Sequence, residues 1–171
     1  MDFLTIAKTR QSCRNYDETR PVETEKLERI LRAGMQAPSA MNRQPWEVVV
    51  ITDPDKIAEV AAITPYGGPA ARAPMVLVPV CNKEFAGEKN RYWEQDLSSL
   101  VQNILLQIVE EGLGGCWMGI YPDENRTQQL ADAIGAPENI IPFAMISVGY
   151  PLQENKFVDR YHPERVHYGK Y

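Results

Sequence analysis

Pro38-Ser39-Ala40-Met41-Asn42-Arg43-Gln44-Pro45-Trp46 is the stretch on which the reading of this chain turns. It follows an amphipathic segment and leads straight into Glu47-Val48-Val49-Val50-Ile51-Thr52, which reads as a strand. A proline near each end restricts the backbone, so the loop between them is ordered with fixed ends. Ser39, Asn42 and Gln44 place several hydrogen-bond donors and acceptors on a few residues. Such a loop either caps a helix and closes a turn or hydrogen-bonds a planar polar ligand. Composition alone leaves both open.

Working outward, Asp2 is placed to cap a short helix through Thr9, with Phe3, Ile6 and Ala7 on one face. A second helix starts after Pro21-Val22, with Glu23 or Thr24 near its cap. Its apolar stripe is Leu27, Ile30, Leu31 and Gly34, and it ends before Pro38. Downstream of the strand, Asp53-Pro54 starts a helix to about Ile63. The segment from Pro65 to Pro74 is rich in Gly and Pro and reads as loop. Met75 to Val80 is a continuous apolar run, expected for a strand covered on both faces. A long helix follows from about Arg91 to Gly112, ended by Gly112 and Gly114. Trp117 to Tyr121 reads as a short strand, Asp123 caps a helix through about Ile134, and Ile141 to Tyr150 is the last strand. From Pro151 onward no period is visible. Phe157, Tyr161, Tyr168 and Tyr171 are too many aromatics for a disordered tail, so this segment is expected to pack on a partner subunit. The mixture is α+β, a single domain over residues 1–171.

The bulk properties exclude several classes. With 171 residues the chain is long enough to bury a core, and a formal net charge of −5 leaves no basic excess for a nucleic acid. The apolar run from Leu97 to Leu113 is broken by Ser98, Ser99, Gln102, Asn103, Gln107, Glu110 and Glu111, so no membrane span is expected. No basic-then-apolar leader is read at Met1-Asp2-Phe3-Leu4. Cys13, Cys81 and Cys116 are odd in number and widely spaced, which argues against disulfides and for buried small hydrophobes. The expected location is the cytoplasm. His162 and His167 both lie in the tail, so His-Glu-x-x-His zinc sites and a helical Cys-His dyad are missing, and no phosphate-binding P-loop occurs. Gly112-Leu113-Gly114-Gly115 fails as a dinucleotide fingerprint because it follows a helix and its third glycine position is Trp117. It reads as a helix stop, or as exposed backbone beside a ligand.

Arg10-Gln11-Ser12-Cys13-Arg14 concentrates two cations and two hydrogen-bonding side chains just past a helix end. Guanidinium forks suit phosphate and hydroxyls add neutral donors, while a solvated basic turn explains the same residues.

In order along the chain, Arg10-Gln-Ser-Cys-Arg14, Ala37-Pro-Ser-Ala-Met-Asn-Arg-Gln-Pro-Trp46, Gly112-Leu-Gly-Gly-Cys-Trp-Met-Gly119 and Val148-Gly-Tyr-Pro151 resemble the nitroreductase family of flavoproteins. Ala73-Pro74 and Asp96 fit the same pattern, and the resemblance spans nearly the whole chain. It implies an α+β nitroreductase-like fold, with a central mixed sheet flanked by helices and a homodimer exchanging its tails. Two FMN sites would lie at the subunit interface, with NAD(P)H donating hydride to flavin N5 and a nitroaromatic, quinone or similar small molecule accepting the electrons. By position, Arg10 and Ser12 would hold the phosphate and ribityl end, with Gln11 beside them. Arg14 would lie near the N1–C2=O edge. Pro38, Ser39, Ala40, Asn42 and Gln44 would come from the other subunit, and Trp117, Met118 and Gly119 would run along the flavin. The catalytic contributions fall to Arg14, facing the charge that gathers on reduction, and to the Gly119 N–H near N5. Arg160 would be a phosphate cation near the C-terminus, with Lys156 a weaker candidate.

Three departures bear on activity. Pro69-Ala70-Ala71 stands where the family often offers an amide to the pyrimidine, and Asp159 stands beside Arg160 where paired cations are expected. The segment from Asn82 to Asn90 is short, which implies an open pocket with broad acceptor tolerance. A flavin-binding protein for sensing or storage, and another flavin chemistry such as reductive dehalogenation, are the alternatives that the same motifs allow.

Overall fold

The structure is a computed structural model describing residues 2–171. Helix α1 (Phe3–Thr9) is capped by Asp2, whose carboxylate accepts the Thr5 N–H at 3.1 Å. Helix α2 (Thr24–Met35) leads to a 3-10 turn at Ala40–Asn42 and strand β1 (Trp46–Ile51). Asp53 accepts the Lys56 N–H at 2.8 Å and Pro54 fills the first turn of α3 (Pro54–Ala62). A one-turn helix α4 (Gly68–Ala71) precedes β2 (Met75–Asn82), followed by the short α5 (Lys83–Ala86) and the long α6 (Trp93–Glu110). Strand β3 (Gly114–Gly119), helix α7 (Glu124–Ile134), β4 (Ile140–Pro142) and β5 (Ala144–Gly149) complete the domain. Gly112 and Gly135, both at positive φ, turn the chain out of α6 and α7.

The strands lie in the order β1-β2-β5-β3, with β4 on β2, and every one of these pairs is antiparallel. A parallel bridge between Ser12 and Gly115 adds the segment after α1 beside β3, which makes the sheet mixed at that margin. Strand alternation divides the core into two layers. Met75, Leu77 and Cys81 of β2 and Ala144, Ile146 and Val148 of β5 pack with Ile30 of α2 and Leu97, Leu100, Ile104 and Ile108 of α6. Val76, Val78 and Val80, with Met145, pack on the other face against Ile57, Val60, Ala70 and Leu130. All of β2 is buried, as its unbroken apolar run predicts. Helices α2 and α6 approach closely because Gly34 has no side chain; a Cβ there would lie 2.7 Å from Ile104 Cγ1.

Several boundaries differ from the sequence reading. The Gly/Pro-rich segment 65–74 contains α4, started by Gly68-Pro69 in the way proline favours at a first helical turn. Gly114 does not end α6: it opens β3, which therefore starts three residues before Trp117 and ends at Gly119. The last strand is split at Phe143, whose N–H bonds the Pro79 carbonyl and whose carbonyl accepts from Ile120 and Tyr121. The tail carries one 3-10 turn, Pro163–Arg165, and its aromatic residues are exposed on the single chain. No helix among the described residues is long and apolar enough to cross a membrane.

Candidate active site

Residues 10–14 leave α1 extended and run beside β3. The Cys13 N–H donates to the Gly115 carbonyl at 2.9 Å, and Arg72 Nε donates to the Arg14 carbonyl at 3.1 Å. The approach is close enough to require glycine at 114, where a Cβ would lie 2.6 Å from Cys13 Cβ. Cys13 is buried here while Ser12 and Arg14 project outward. One residue in five points inward as an anchor, and its polar neighbours face solvent.

The geometry of β3 follows from that bridge. The Gly115 carbonyl faces away from β5, toward residue 13. In an antiparallel strand the backbone groups of alternate residues face the same side, so the N–H and C=O of Trp117 and Gly119 also face away from β5. The segment 10–14 covers the strand beside Gly115, beyond which lies an open edge. A Cβ at Gly119 would meet nothing within 4 Å. The end of β3 therefore presents main-chain groups to a space where a ligand can approach the backbone closely.

Two cavities meet over this edge. One, of about 640 Å³, is lined by Arg10, Ser12, Gln102, Leu105, Trp117, Gly119, Tyr121 and Phe143. The other, of about 420 Å³, is lined by Arg14, Pro65, Tyr66, Gly68, Pro69 and Cys116 to Gly119. Trp117, 36% exposed, packs at 5.9 Å from the Phe143 ring, and Trp93 lies edge-on to Tyr121 at 4.7 Å. Burial pushes the Cys116 thiol up, while the Arg14 and Arg10 charges act on it in the opposite direction. Burial likewise raises Cys13, and it pushes Cys81 up to about 12. None of the three is a poised nucleophile.

The structure thus brings together Arg10, Ser12, Arg14, Trp117, Met118 and Gly119. Gln11 sits beside Ser12 and Arg14 in a smaller cavity with Gln153, Glu154 and Asn155. Pro38, Ser39, Ala40, Asn42 and Gln44 do not line any of these spaces. Asn42 and Gln44 instead line an open cavity with Met41, Arg43, Glu84 and Phe85. The residues that the resemblance assigns to binding thus fall into two separate sets within the one chain. Arg160 is exposed and borders neither β3 cavity. The residue beside it, Asp159, pairs with Lys8 at 2.7 Å, and the Val158 N–H donates to the Lys8 carbonyl at 3.1 Å. Gln102, Leu105, Tyr121, Phe143, Pro65 and Tyr66 were not singled out by sequence reasoning. They are scattered along the chain, and no local spacing distinguishes them from core residues.

The loop from Ser39 to Gln44 is an arch in which Met41, Asn42 and Gln44 have positive φ while Ser39 is extended and Arg43 is right-handed. Met41 and Asn42 have φ of 53° and Gln44 has φ of 47°, conformations that cost a side-chain-bearing residue about 1–2 kcal/mol each. Backbone strain of this kind collects at functional sites.

These features define an α+β domain with a cation- and hydroxyl-bearing segment laid against an open strand edge. The Nitroreductase family model matches residues 7–97 and 64–150, and the chain belongs to the nitroreductase family, whose chemistry is flavin-mediated oxidoreduction. An Archaeoglobus fulgidus protein provisionally named NADH dehydrogenase/NAD(P)H nitroreductase is 36% identical over 99% of both chains. The crystal structure of a provisionally named NADH oxidase from Clostridium acetobutylicum superimposes with a TM-score of 0.92. Its identity is 41%, covering 97% of this chain and 99% of that one. A provisionally named nitroreductase from Desulfovibrio desulfuricans, solved in complex with FMN, gives a TM-score of 0.83 at 27% identity over 100% of this chain and 98% of that one.

Proposed function

We propose that this chain is an FMN-dependent oxidoreductase that takes electrons from NAD(P)H and passes them to nitroaromatics, quinones or similar small acceptors. The observation that carries the reading is the open edge of β3, where Gly119 offers its main chain between two cavities bearing Arg10 and Ser12 on one side and Arg14 on the other. When bound, FMN supplies a two-electron carrier that the protein's own side chains cannot.

The residues fit that group by donor chemistry. Arg10 and Ser12 supply a guanidinium fork and a hydroxyl for a phosphate, with Gln11 beside them. Arg14 would set a fixed positive charge beside the ring edge that gains negative charge on reduction. The Gly119 N–H would donate to a ring nitrogen, with Trp117 and Met118 lining the approach. Pro69 borders the cavity and offers no amide side chain. The Lys8–Asp159 pair offsets the acid next to Arg160.

The functional unit in this reading is a homodimer. Pro38, Ser39, Ala40, Asn42 and Gln44 of one subunit complete the site of the other, and the tail crosses to the partner. Support comes from the separation of the two sets of binding residues within one chain and from Phe157, Tyr161 and Tyr168, which are 61%, 71% and 89% exposed. Purified protein supplemented with FMN and desalted is expected to stay yellow and to bleach when mixed anaerobically with NADH or NADPH. Retained flavin that neither donor bleaches would remove the reductase reading. Light scattering is expected to give twice the chain mass.

A further inference from the structure

The strained arch has no glycine to relieve it, so something else holds it. Within the arch, the Gln44 N–H donates to Ser39 Oγ at 2.9 Å and Gln44 Nε2 donates to Asn42 Oδ1 at 2.9 Å. Those bonds tie the arch to itself. Its tie to the core is the Ala40 N–H, which donates to Asp96 Oδ1 at 2.8 Å. Just beyond its far end, the Pro45 carbonyl accepts the Asn82 N–H at 2.7 Å.

Asp96 is an unusual residue to find there. It is 4% exposed, and no cation forms an ion pair with it among the described residues. An uncompensated buried carboxylate is costly, so its surroundings must satisfy it by hydrogen bonds. They do so on both oxygens. Oδ2 accepts Asn90 Nδ2 at 3.0 Å, and Asn90 Oδ1 in turn accepts the Tyr92 N–H at 2.8 Å. Asp96 also lies in the first turn of the 18-residue α6, where the helix dipole favours an anion. One carboxylate thus fastens two chain segments to one rigid helix end: the arch at 39–44 and the turn at 87–92. A helix cap alone would need neither burial nor two arms.

We infer that Asp96, steadied by Asn90, is a positioning residue that holds the Ser39–Gln44 arch, with its three positive-φ residues, in shape and so sets how the arch meets flavin. The reference to flavin rests on the proposed function; the clamp itself rests on this chain's geometry. The carboxylate acts on the arch through the Ala40 N–H.

The test pairs hydrogen–deuterium exchange of the flavin-free protein with FMN titration followed by flavin fluorescence. In wild type the amides of Ala40 and Gln44 are expected to be protected. In Asp96→Asn their exchange is expected to rise about tenfold or more, the scale of one charge-assisted hydrogen bond, while Trp46–Ile51 stays as protected as before. The same variant is expected to bind FMN about tenfold more weakly, with a displaced visible band once saturated. Asn90→Ala, which removes only the outer arm, gives the same changes in smaller measure and serves if Asp96→Asn does not fold. Arch exchange unchanged in a folded variant overturns the clamp. Faster arch exchange with unchanged FMN affinity and spectrum overturns its link to flavin. A wild-type protein that binds no FMN would defeat the proposed function and the flavin link together, leaving the exchange result to judge the clamp.

Discussion

The Ser147 hydroxyl donates to the Tyr16 phenol oxygen across 2.7 Å, tying the segment that carries Arg10 to Arg14 to the middle of β5. The direction follows from the proton count: Tyr16 has one hydroxyl proton, and it goes to the Cys13 carbonyl at 2.6 Å. Both residues are buried, and burial pushes the Tyr16 phenol far above its ordinary range. Tyr16→Phe leaves a carbonyl and a hydroxyl unpaired in the core, and is expected to cost about 1–3 kcal/mol in urea unfolding. Ser147→Ala leaves the bond to Cys13 intact and is expected to cost less. A double-mutant cycle should give a non-zero coupling; strictly additive effects would deny the chain of bonds.

Two glycines on one strand are expected to behave oppositely. An alanine Cβ at position 114 falls 2.6 Å from Cys13 Cβ, so Gly114→Ala should lose about 1–3 kcal/mol and displace the 10–14 segment. At Gly119 the same methyl meets only open space. Gly119→Ala should keep its unfolding midpoint within about 0.5 kcal/mol of wild type while weakening FMN binding. Unchanged FMN affinity in that variant would remove the Gly119 main chain from the site.

Arg14→Ala is expected to lower the flavin midpoint potential, because the reduced form loses a neighbouring positive charge. A contact of roughly 1.4 kcal/mol corresponds to about 30 mV for a two-electron couple. Potentiometry under argon gives the answer, and an unchanged potential would place Arg14 away from the ring.

The three thiols set an alkaline limit. Burial raises Cys13, Cys81 and Cys116 above an ordinary value of 9.0, Cys81 to about 12. The folded chain therefore keeps protons that the unfolded chain releases. Stability is expected to be full below pH 9.0 and to fall as pH rises from there toward 12. At pH 8 a thiol reagent should find no reactive cysteine in the folded protein and all three after denaturation.

Much of this fold was legible one segment at a time. Asp2, Asp53 and Asp123 each accept an N–H three residues on, as their positions before helical patterns imply. The apolar run of β2 is buried throughout, and the spacing of Ile30 and Gly34 marks the face of α2 that meets α6. The Arg10–Arg14 segment stood out because its charges and hydroxyl are consecutive. The adjoining β3 was legible only from Trp117 onward, because Gly114-Gly115 reads locally as a helix stop.

What the sequence by itself determined is what local chemistry enforces: where helices start, which runs are buried, and which short stretches carry donors in series. The tertiary structure alone decided the rest. Gly114 and Gly115 form strand because they pair with Gly149 and Val148 of β5, and Cys13 on one side and Ile108 and Leu105 on the other leave little room for a side chain. Phe143 breaks its strand because its backbone bonds β2 on one side and the residues after β3 on the other. The arch at 39–44 holds three residues at positive φ without glycine, and a carboxylate 56 residues downstream of Ala40 fastens it to the core. In each case a packing or hydrogen-bonding partner distant in sequence outweighs the local preference, because burying an unpaired polar group or overlapping two atoms costs more than a propensity gains.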